Sequence, residues 1–348
     1  MTLLKTPQEL VDVGVQIFDA AGSPHEESVQ AMQSMVQANL AGHDSHGFLR
    51  VPFYLDRIET GQLKPGTPLE VERESRAMAV LNGNQGWGQV IARKAMQMAI
   101  AKARDCSVGI VSVRNSQHIG RLGEWVAMAA EQNMVGLAWV NSRGGQGWVA
   151  PWGGIERKLK PNPQAFACPS GEAWPVLVDT TFTVVAGGKI EAALFEGKQL
   201  PPGALIDAEG NPTTDPATFY GPPQGAMLPL GGPAGHKGYA LNIMSDLMAG
   251  ALTGSGVSGE KVPHSGNGVL FEAIHIADFT ELDKFVASVQ GLMAWCKSSR
   301  KAPGVTEILF PGEIEYRTTQ RRLAQGIPIA EALWDKVLET GRQLGVTW

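Results

Sequence analysis

Cysteine is scarce in this chain: Cys106, Cys168 and Cys296 are an odd number and show no paired metal-ligand spacing. That excludes a disulfide framework or a zinc ribbon as the organising device, and it fits a reducing compartment with the thiols buried. Positive charge is not in excess either. With 29 Lys and Arg against 34 Asp and Glu the net charge is -5, and no dense basic cluster occurs, so no attraction to nucleic acid or anionic lipid is expected. The pair Arg321-Arg322 reads as part of a solvated helix face. Long apolar runs are missing, because no stretch approaches the ~18 residues of a membrane span. Met1 to Gly22 has no basic start followed by an apolar core, so no secretory signal is expected and the protein reads as cytoplasmic. Phosphate-loop and serine-hydrolase signatures are also absent: Gly259 is followed by Glu260-Lys261, and no Gly-x-Ser-x-Gly elbow occurs.

What is present suffices for more than one core. A chain of 348 residues, 43% hydrophobic and 18% charged, predicts two or three lobes. Thr6-Pro7-Gln8-Glu9 and Ser23-Pro24-His25-Glu26 each put a hydroxyl at an N-cap, proline at the first helical position and Glu at the third, the pattern of a capping box. Gly22 and Gly42 mark the ends of these two helices. Val29, Met32, Val36 and Leu40 give the second helix one buried stripe. From residue 76 strands alternate with helices. Strands are predicted over Ala77 to Leu81, Val108 to Val113, Val135 to Val140, Val176 to Asp179, Val269 to Ala277 and Glu307 to Phe310. Helices are predicted over 89–103, 122–132, 238–252, 281–299 and 313–344. His275, inside an alternating strand, reads as solvent-facing or core-satisfied rather than catalytic. Residues 144–235 are so rich in Gly and Pro that a functional reason is expected.

Chemistry concentrates in Gly42-His43-Asp44-Ser45-His46-Gly47-Phe48-Leu49-Arg50. An imidazole both gives and takes a proton near neutrality, and a guanidinium four residues on is a planar fork for a carboxylate. Two readings of the run stand on local grounds: a proton-transfer site for a small anion, or a helix cap with solvated histidines. Pro52 argues against an uninterrupted helix from His46, so residues 46–50 form either a turn or a kinked first turn. If helical, His46 and Arg50 share a face. His43 and His46 have no companion histidine pair, and no metal site is expected. Asn115-Ser116-Gln117-His118-Ile119-Gly120 lies where a strand feeds a helix, a common ligand position, and otherwise His118 is a turn cap. Gly235-His236-Lys237-Gly238-Tyr239 puts a cation between glycines ahead of a helix.

Two dinucleotide-like glycine patterns fail on context. Gly254-x-Gly256-x-x-Gly259 follows a helix-like run, and Gly145-x-Gly147-x-x-Ala150 meets Pro151-Trp152-Gly153-Gly154 where a helix should begin. A standard Rossmann site is rejected, while backbone amides of the same segments remain available to a dinucleotide in another fold.

Taken together, the landmarks resemble the malate/L-lactate dehydrogenase family of the second type over nearly the whole chain. They are Asp44-Ser45-His46-Gly47-x-x-Arg50, Asn115-Ser116-x-His118-x-Gly120, Ala150-Pro151-x-Gly153-Gly154, Asn162-Pro163 and Asp179. They continue with Gly188-Lys189, Asp207-x-x-Gly210-x-Pro212-Thr213-Thr214-Asp215-Pro216, His236-Lys237-Gly238-Tyr239 and Pro311-Gly312-Glu313. The resemblance implies an α/β fold with a mixed, largely antiparallel sheet flanked by helices. This is the non-Rossmann dinucleotide-binding fold of the sulfolactate dehydrogenase type, with a helical N-/C-terminal lobe. Residues 1–75 with 311–348 would form the helical substrate and dimerisation lobe, and 76–310 the cofactor-binding domain.

The implied activity is hydride transfer between NAD or NADP, NAD being favoured, and C2 of a small 2-hydroxy or 2-oxo acid, in a homodimer. By the same resemblance His46 is the acid/base and Arg50 holds the carboxylate beside Ser45. His118 is the competing acid/base, and Asp179 lies at the reacting centre, orienting a histidine. Cofactor contacts fall on Ser142, Thr181, Phe182, Thr183, Gly187, His236, Lys237, Pro311, Gly312 and Glu313. Reduction of a cyclic imino acid is the alternative within enzymes, and a ligand-binding protein without chemistry is the alternative outside them. The chain departs from the family pattern at Lys160-Pro161, at Thr180-Thr181-Phe182-Thr183 and at Gly144-Gly145-Gln146-Gly147-Trp148, all beside the expected cofactor and substrate.

Overall fold

A computed structural model describes residues 2–143, 146–195 and 197–348, so Gly144 and Gly145 of the second glycine pattern lie outside the described residues. The chain opens with β1 (Thr2–Lys5) and α1 (Pro7–Ala20). The α1 capping box forms as predicted: Thr6 Oγ1 accepts from Glu9 N–H at 3.2 Å, and Glu9 Oε2 accepts from Thr6 N–H at 2.7 Å. The second capping box does not form. Helix α2 (His25–Leu40) has Pro24 at its N-cap, and the Ser23 hydroxyl instead accepts from the buried Trp87 indole N–H at 3.0 Å. A buried indole donor needs a partner, and that need outweighs a cap that solvent can replace. Gly22 and Gly42 follow the two helices with φ of 88° and 86°, the left-handed conformation expected of them. A shorter helix, α3 (Val51–Glu59), completes this lobe.

The central sheet takes β2 (Glu70–Glu74), β3 (Met78–Asn82), β4 (Val108–Ser116), β5 (Met134–Arg143), β6 (Pro163–Cys168) and β7 (Val176–Thr181). A small sheet of β8 (Leu205–Ile206), β9 (Pro212–Thr213) and β10 (Ala226–Met227) follows, and then β11 (Gly266–His275) returns to the middle of the large one. The large sheet has seven strands in the order β2-β3-β4-β11-β5-β6-β7. Only β3 and β4 are parallel, joined by the crossover helix α4 (Gly88–Cys106), and the other neighbours are antiparallel. The expected mixed, largely antiparallel sheet is therefore present, and among the described residues it has no repeated parallel units of a Rossmann fold.

Two glycines set how closely helices approach this sheet. A Cβ on Gly109 of β4 would lie 2.0 Å from the Ala99 carbonyl of α4, and one on Gly136 of β5 would lie 2.6 Å from the Val126 carbonyl of α5 (Leu122–Ala130). The sheet core gathers Leu81, Met96, Val113, Trp125 and Phe271. The helical lobe has its own core of Phe18, Met32, Met35, Phe48, Tyr54 and Trp87, closed by Ile327, Ile329 and Val337 from the far end of the chain. The Gly- and Pro-rich stretch is ordered around a third cluster that includes Val149, Ile190, Leu205 and Met227. Ile190 comes from α6 (Gly187–Phe195), and α7 (Ala217–Tyr220) sits between the strands of the small sheet.

Later elements correct two expectations. Helix α8 (Gly235–Asp246) continues as a π-turn over Leu247–Ala251, and α9 (Leu282–Lys297) falls where predicted. Glu307 to Phe310 is not a strand; the Phe310 N–H donates to Glu313 Oε2 at 3.2 Å, which turns the segment toward α10. The span 313–344 is two helices, α10 (Glu313–Gln325) and α11 (Glu331–Gln343), separated by β12 (Ile327–Ala330). Gly326 at φ 92° stops α10, and β12 then pairs antiparallel with β1, turning Ile327 and Ile329 inward and Pro328 outward. Of the three cysteines only Cys168 is buried, where burial pushes its thiol up to about 11, and the other two are partly exposed. Among the described residues no helix is long and apolar enough to cross a membrane.

The helix-on-glycine contacts make a direct test. Gly109→Ala forces α4 off β4, and we expect a loss of about 1–3 kcal/mol in urea unfolding; an unchanged midpoint would refute the close approach.

Candidate active site

The run from Gly42 to Arg50 folds around one side chain. Asn39 sits in the last turn of α2; its Oδ1 accepts from Phe48 N–H at 2.7 Å, and its Nδ2 donates to Asp44 Oδ1 at 2.6 Å. Gly47 passes so close that a Cβ there would lie 2.2 Å from Asn39 Oδ1. Arg322 of α10 holds the outside of the bend, donating to Asp44 Oδ1 at 2.6 Å and Oδ2 at 2.9 Å, and to the Asn39 carbonyl. This corrects the reading of Arg321-Arg322 as wholly solvated: the Arg322 side chain is only 12% exposed. The run itself forms two 3-10 turns, Asp44–His46 and Phe48–Arg50, before α3 begins with Pro52 in its first turn. His46 and Arg50 therefore share no α-helical face. Arg50 Nε instead donates back to the Ser45 carbonyl at 2.6 Å, and that bond holds the guanidinium beside the histidine.

His118 reaches the same place from beyond the end of β4. Its ring stacks on that of His46, with centroids 5.5 Å apart and planes 17° off parallel. Tyr54 of α3 accepts from Gln89 Nε2 at 2.6 Å, which leaves its own hydroxyl proton for His118 Nδ1 at 2.8 Å. Gly120 N–H points at the same nitrogen at 3.4 Å. The network thus makes His118 Nδ1 an acceptor and puts the proton of the neutral ring on Nε2. His46 Nδ1 lies 3.1 Å from Ser45 Oγ, a contact that allows either polarity. Burial, ahead of the charges of Arg50, His43 and Arg121, pushes His46 down to about 3, and burial likewise depresses His118. Both imidazoles are neutral at pH 7.

Asp179 on β7 has another partner. Its Oδ2 accepts from Gly123 N–H in the first turn of α5 at 2.7 Å, while Tyr54 and Ser45 are the groups that hold the imidazoles. His43 lies at the margin, 3.4 Å from Glu315 of α10. His275 pairs with Asp278 at 2.9 Å, far along β11, as a solvated strand-end residue.

Of the segments expected at a cofactor, the start of α6 touches this cluster directly. Gly188 in the first turn of α6 packs on Ser45, its would-be Cβ 2.7 Å from that of the serine, and Gly187 packs on Trp148 in the same way at 2.6 Å. Thr181 ends β7, and Phe182 and Thr183 follow it in a bend. Thr181 Oγ1 meets Thr183 Oγ1 at 3.1 Å, Thr183 donates to the Val185 carbonyl at 2.7 Å, and Phe182 is buried. Leu230 N–H donates to the Phe182 carbonyl at 2.9 Å, which brings the segment carrying His236 and Lys237 alongside. Ser142 receives its place from Asn162, whose Oδ1 accepts from Ser142 N–H at 3.2 Å and whose Nδ2 reaches Asn242 of α8 at 3.1 Å. Pro311 and Gly312 lie against the start of β7, with Leu177 N–H donating to the Pro311 carbonyl at 3.2 Å. Glu313 is engaged by Lys297 at 2.6 Å, Arg317 at 2.5 Å and Phe310 N–H at 3.2 Å, so its carboxylate serves to hold that turn. A groove of about 530 Å³ between α1 and α2 is lined by Val11, Val15, Val29 and Val36 and contains none of the histidine cluster.

Five residues of this arrangement carried no motif: Asn39, Tyr54, Gln89, Arg121 and Arg322. Asn39 alone left a trace, as an amide on the apolar side of α2. Arg121 is 9% exposed, beside Asp179 and Gly123, with Nε and Nη1 unpartnered.

A non-Rossmann α/β sheet thus carries a stacked pair of buried imidazoles with Arg50 beside them. The family model for malate/L-lactate dehydrogenase matches residues 6–338. A malate dehydrogenase of Pyrococcus abyssi is 37% identical over 97% of this chain and 94% of its own length. An L-sulfolactate dehydrogenase of Methanothermobacter thermautotrophicus is 35% identical over 98% and 97%. The crystal structure of malate dehydrogenase from Entamoeba histolytica superposes with a TM-score of 0.94 at 29% identity, covering 100% of this chain and 99% of that one. The chain belongs to the malate/L-lactate dehydrogenase family and is an oxidoreductase acting on a CH–OH group of a small hydroxy acid, with a nicotinamide cofactor.

Two outcomes follow from this geometry. Unfolding returns both imidazoles to the ordinary value of 6.5, so the unfolded chain binds more protons than the folded one below 6.5, down to about 3 for His46. Their contribution is complete above pH 6.5 and is lost as pH falls through that window; His118→Gln should flatten the decline of urea-unfolding stability between pH 6.5 and 4, and an unaltered slope would show that His118 is not held neutral. Arg322→Gln should lower kcat/KM on the order of 10- to 100-fold by releasing the loop, with Arg321→Gln as the silent control in steady-state kinetics.

Proposed function

We propose that the chain interconverts a small 2-hydroxy acid and its 2-oxo acid with NAD or NADP, NAD being favoured, and that His46 is the acid/base. The observation that carries this reading is the stacked pair of neutral imidazoles beside Arg50, because their hydrogen-bond networks suit them to opposite roles. His118 has Nδ1 occupied as an acceptor, so its Nε2–H donates to the C2 oxygen and stabilises charge there. His46 takes the complementary tautomer, with Nδ1–H toward Ser45 Oγ, one of the two polarities that contact allows, so that its Nε2 lone pair takes the proton of the C2 hydroxyl. Arg50 keeps its terminal N–H groups for the C1 carboxylate, since only its Nε is engaged by Ser45 among the described contacts.

The cofactor, when bound, supplies the acceptor for the C2 hydrogen as a hydride. The residues present fit a phosphorylated dinucleotide. Gly188 leaves backbone close to Ser45, the N–H groups of Lys189 and Ile190 are taken by the Ala186 carbonyl so that those of Gly187 and Gly188 begin α6, and Lys237 is an exposed cation on the neighbouring segment. Thr181 to Gly187, His236, Lys237, Pro311 and Gly312 would hold it, with Ser142 at the edge. A homodimer is part of the same proposal. Leu241, Met244, Leu247 and Leu252 form an exposed apolar row on α8 and the turns after it, 38–63% exposed, and light scattering should give twice the mass of one chain.

Turnover tests the assignment. His46→Gln should lower kcat by about 10²- to 10⁴-fold, whereas Arg50→Met should mainly raise KM for carboxylate substrates, on the order of 10- to 100-fold. Unchanged turnover in His46→Gln moves the base to His118, and an unchanged KM in Arg50→Met removes the carboxylate role. Absence of any reaction across 2-hydroxy, 2-oxo and cyclic imino acids with both cofactors would leave a binding protein.

A further inference from the structure

Phe53 of α3 is the aromatic side chain beside the cluster that the proposed reaction does not use. Arg50 comes about one turn before it and Arg57 about one turn after it, and both guanidinium groups lie over its ring, with Cζ 5.5 Å and 4.9 Å from the centroid. The same ring meets that of His118 at right angles, with centroids 6.1 Å apart and planes at 79°. One half-buried phenyl group therefore touches both the proposed carboxylate anchor and the proposed donor to the C2 oxygen.

Hydrogen bonding alone does not fix the plane of Arg50. Its Nε donates to the Ser45 carbonyl at 2.6 Å, and a guanidinium held at that one atom still swings about the bond. An aromatic face against Cζ removes the swing and uses no N–H group, so both terminal nitrogens stay available to a carboxylate. The ring is in turn held from outside the substrate loop. Arg57 donates to Ser265 Oγ at 2.5 Å and to Gln62, and Ser265 Oγ donates to Gln62 Oε1 at 3.0 Å, just ahead of β11. Phe53 also meets the ring of Tyr54 at 5.2 Å, the tyrosine that bonds His118 Nδ1.

We propose that Phe53 is a positioning residue: the electron-rich face of its ring sets the tilt of Arg50, and with it the offset between the carboxylate anchor and His118. The inference rests on the proposed role of Arg50. In a 2-hydroxy acid the carboxylate carbon and the C2 oxygen are joined through a single carbon, so a change of tilt at the first misplaces the second.

The test replaces Phe53 by mono-, di- and trifluorinated phenylalanine, which drain electron density from the ring face at nearly constant size. KM is measured for the acid turned over best among 2-hydroxy, 2-oxo and cyclic imino acids, with Arg50 present and in the Arg50→Met background. With Arg50 present, KM should climb at each step and reach about 10-fold in the trifluorinated protein. Phe53→Leu, which has no ring face, should lose at least as much, and in the Arg50→Met background the fluorinated series should be flat. A flat series with Arg50 present, beside a raised KM in Phe53→Leu, shows only a wall of the right size and overturns the proposal. An equal climb without Arg50 overturns it too. An unchanged KM in Arg50→Met alone overturns the role of Arg50 and this inference with it, whereas a raised KM there with a flat series overturns the role of Phe53 only.

Discussion

The grip of Arg322 on Asp44, with Asn39 inside the bend, is the constraint on which the site depends. Residues 42–50 have no helix or strand of their own to hold them, only two short 3-10 turns. A loop of that kind loses considerable conformational entropy on being fixed, and a bidentate ion pair combined with a buried amide is what offsets it. Because Arg322 comes from the last part of the chain, the substrate end of the protein is complete only after the C-terminal helices have packed on α2. Gly47 is the local condition for this arrangement, since any side chain there would displace the Asn39 amide.

Once the loop is fixed, electrostatics follows from burial. Two imidazoles placed ring on ring, with arginines on either side, cannot both be protonated at any ordinary pH. A neutral imidazole keeps one proton and one lone pair, and at His118 the Tyr54 hydroxyl takes up the lone pair of Nδ1. Tyr54 and Gln89 decide which ring donates, and they do so from the core of the helical lobe, where a wrong hydrogen-bond direction would strand a buried polar group. The anions of substrate and cofactor are the natural complement of the positive charge left around this pair.

Much of this was legible in the sequence, in proportion to how local the physics is. The α1 capping box, the glycines after α1 and α2, the failed Rossmann glycines and most central strands depend on neighbours within a few residues. Ser23 misled because its true partner, Trp87, lies far along the chain. The same holds for β12, whose Ile327 and Ile329 look compatible with a helix until β1 is beside them. Arg322 looked like solvated charge because nothing near it in sequence shows that Asp44 is waiting.

By itself the sequence determined the chemical inventory: Ser45, His46 and Arg50 in one short run, His118 at a strand end, and glycines where backbone must come close. Those follow from residue type and spacing, which no later packing alters. Tertiary structure alone decided that His46 and His118 would stack, that Tyr54 would hydrogen-bond His118, and that Arg121 and Arg322 would be buried. Each of these is a contact between groups far apart along the chain, and a side chain acquires its hydrogen-bond direction and its charge state only when such a partner and the exclusion of water arrive together.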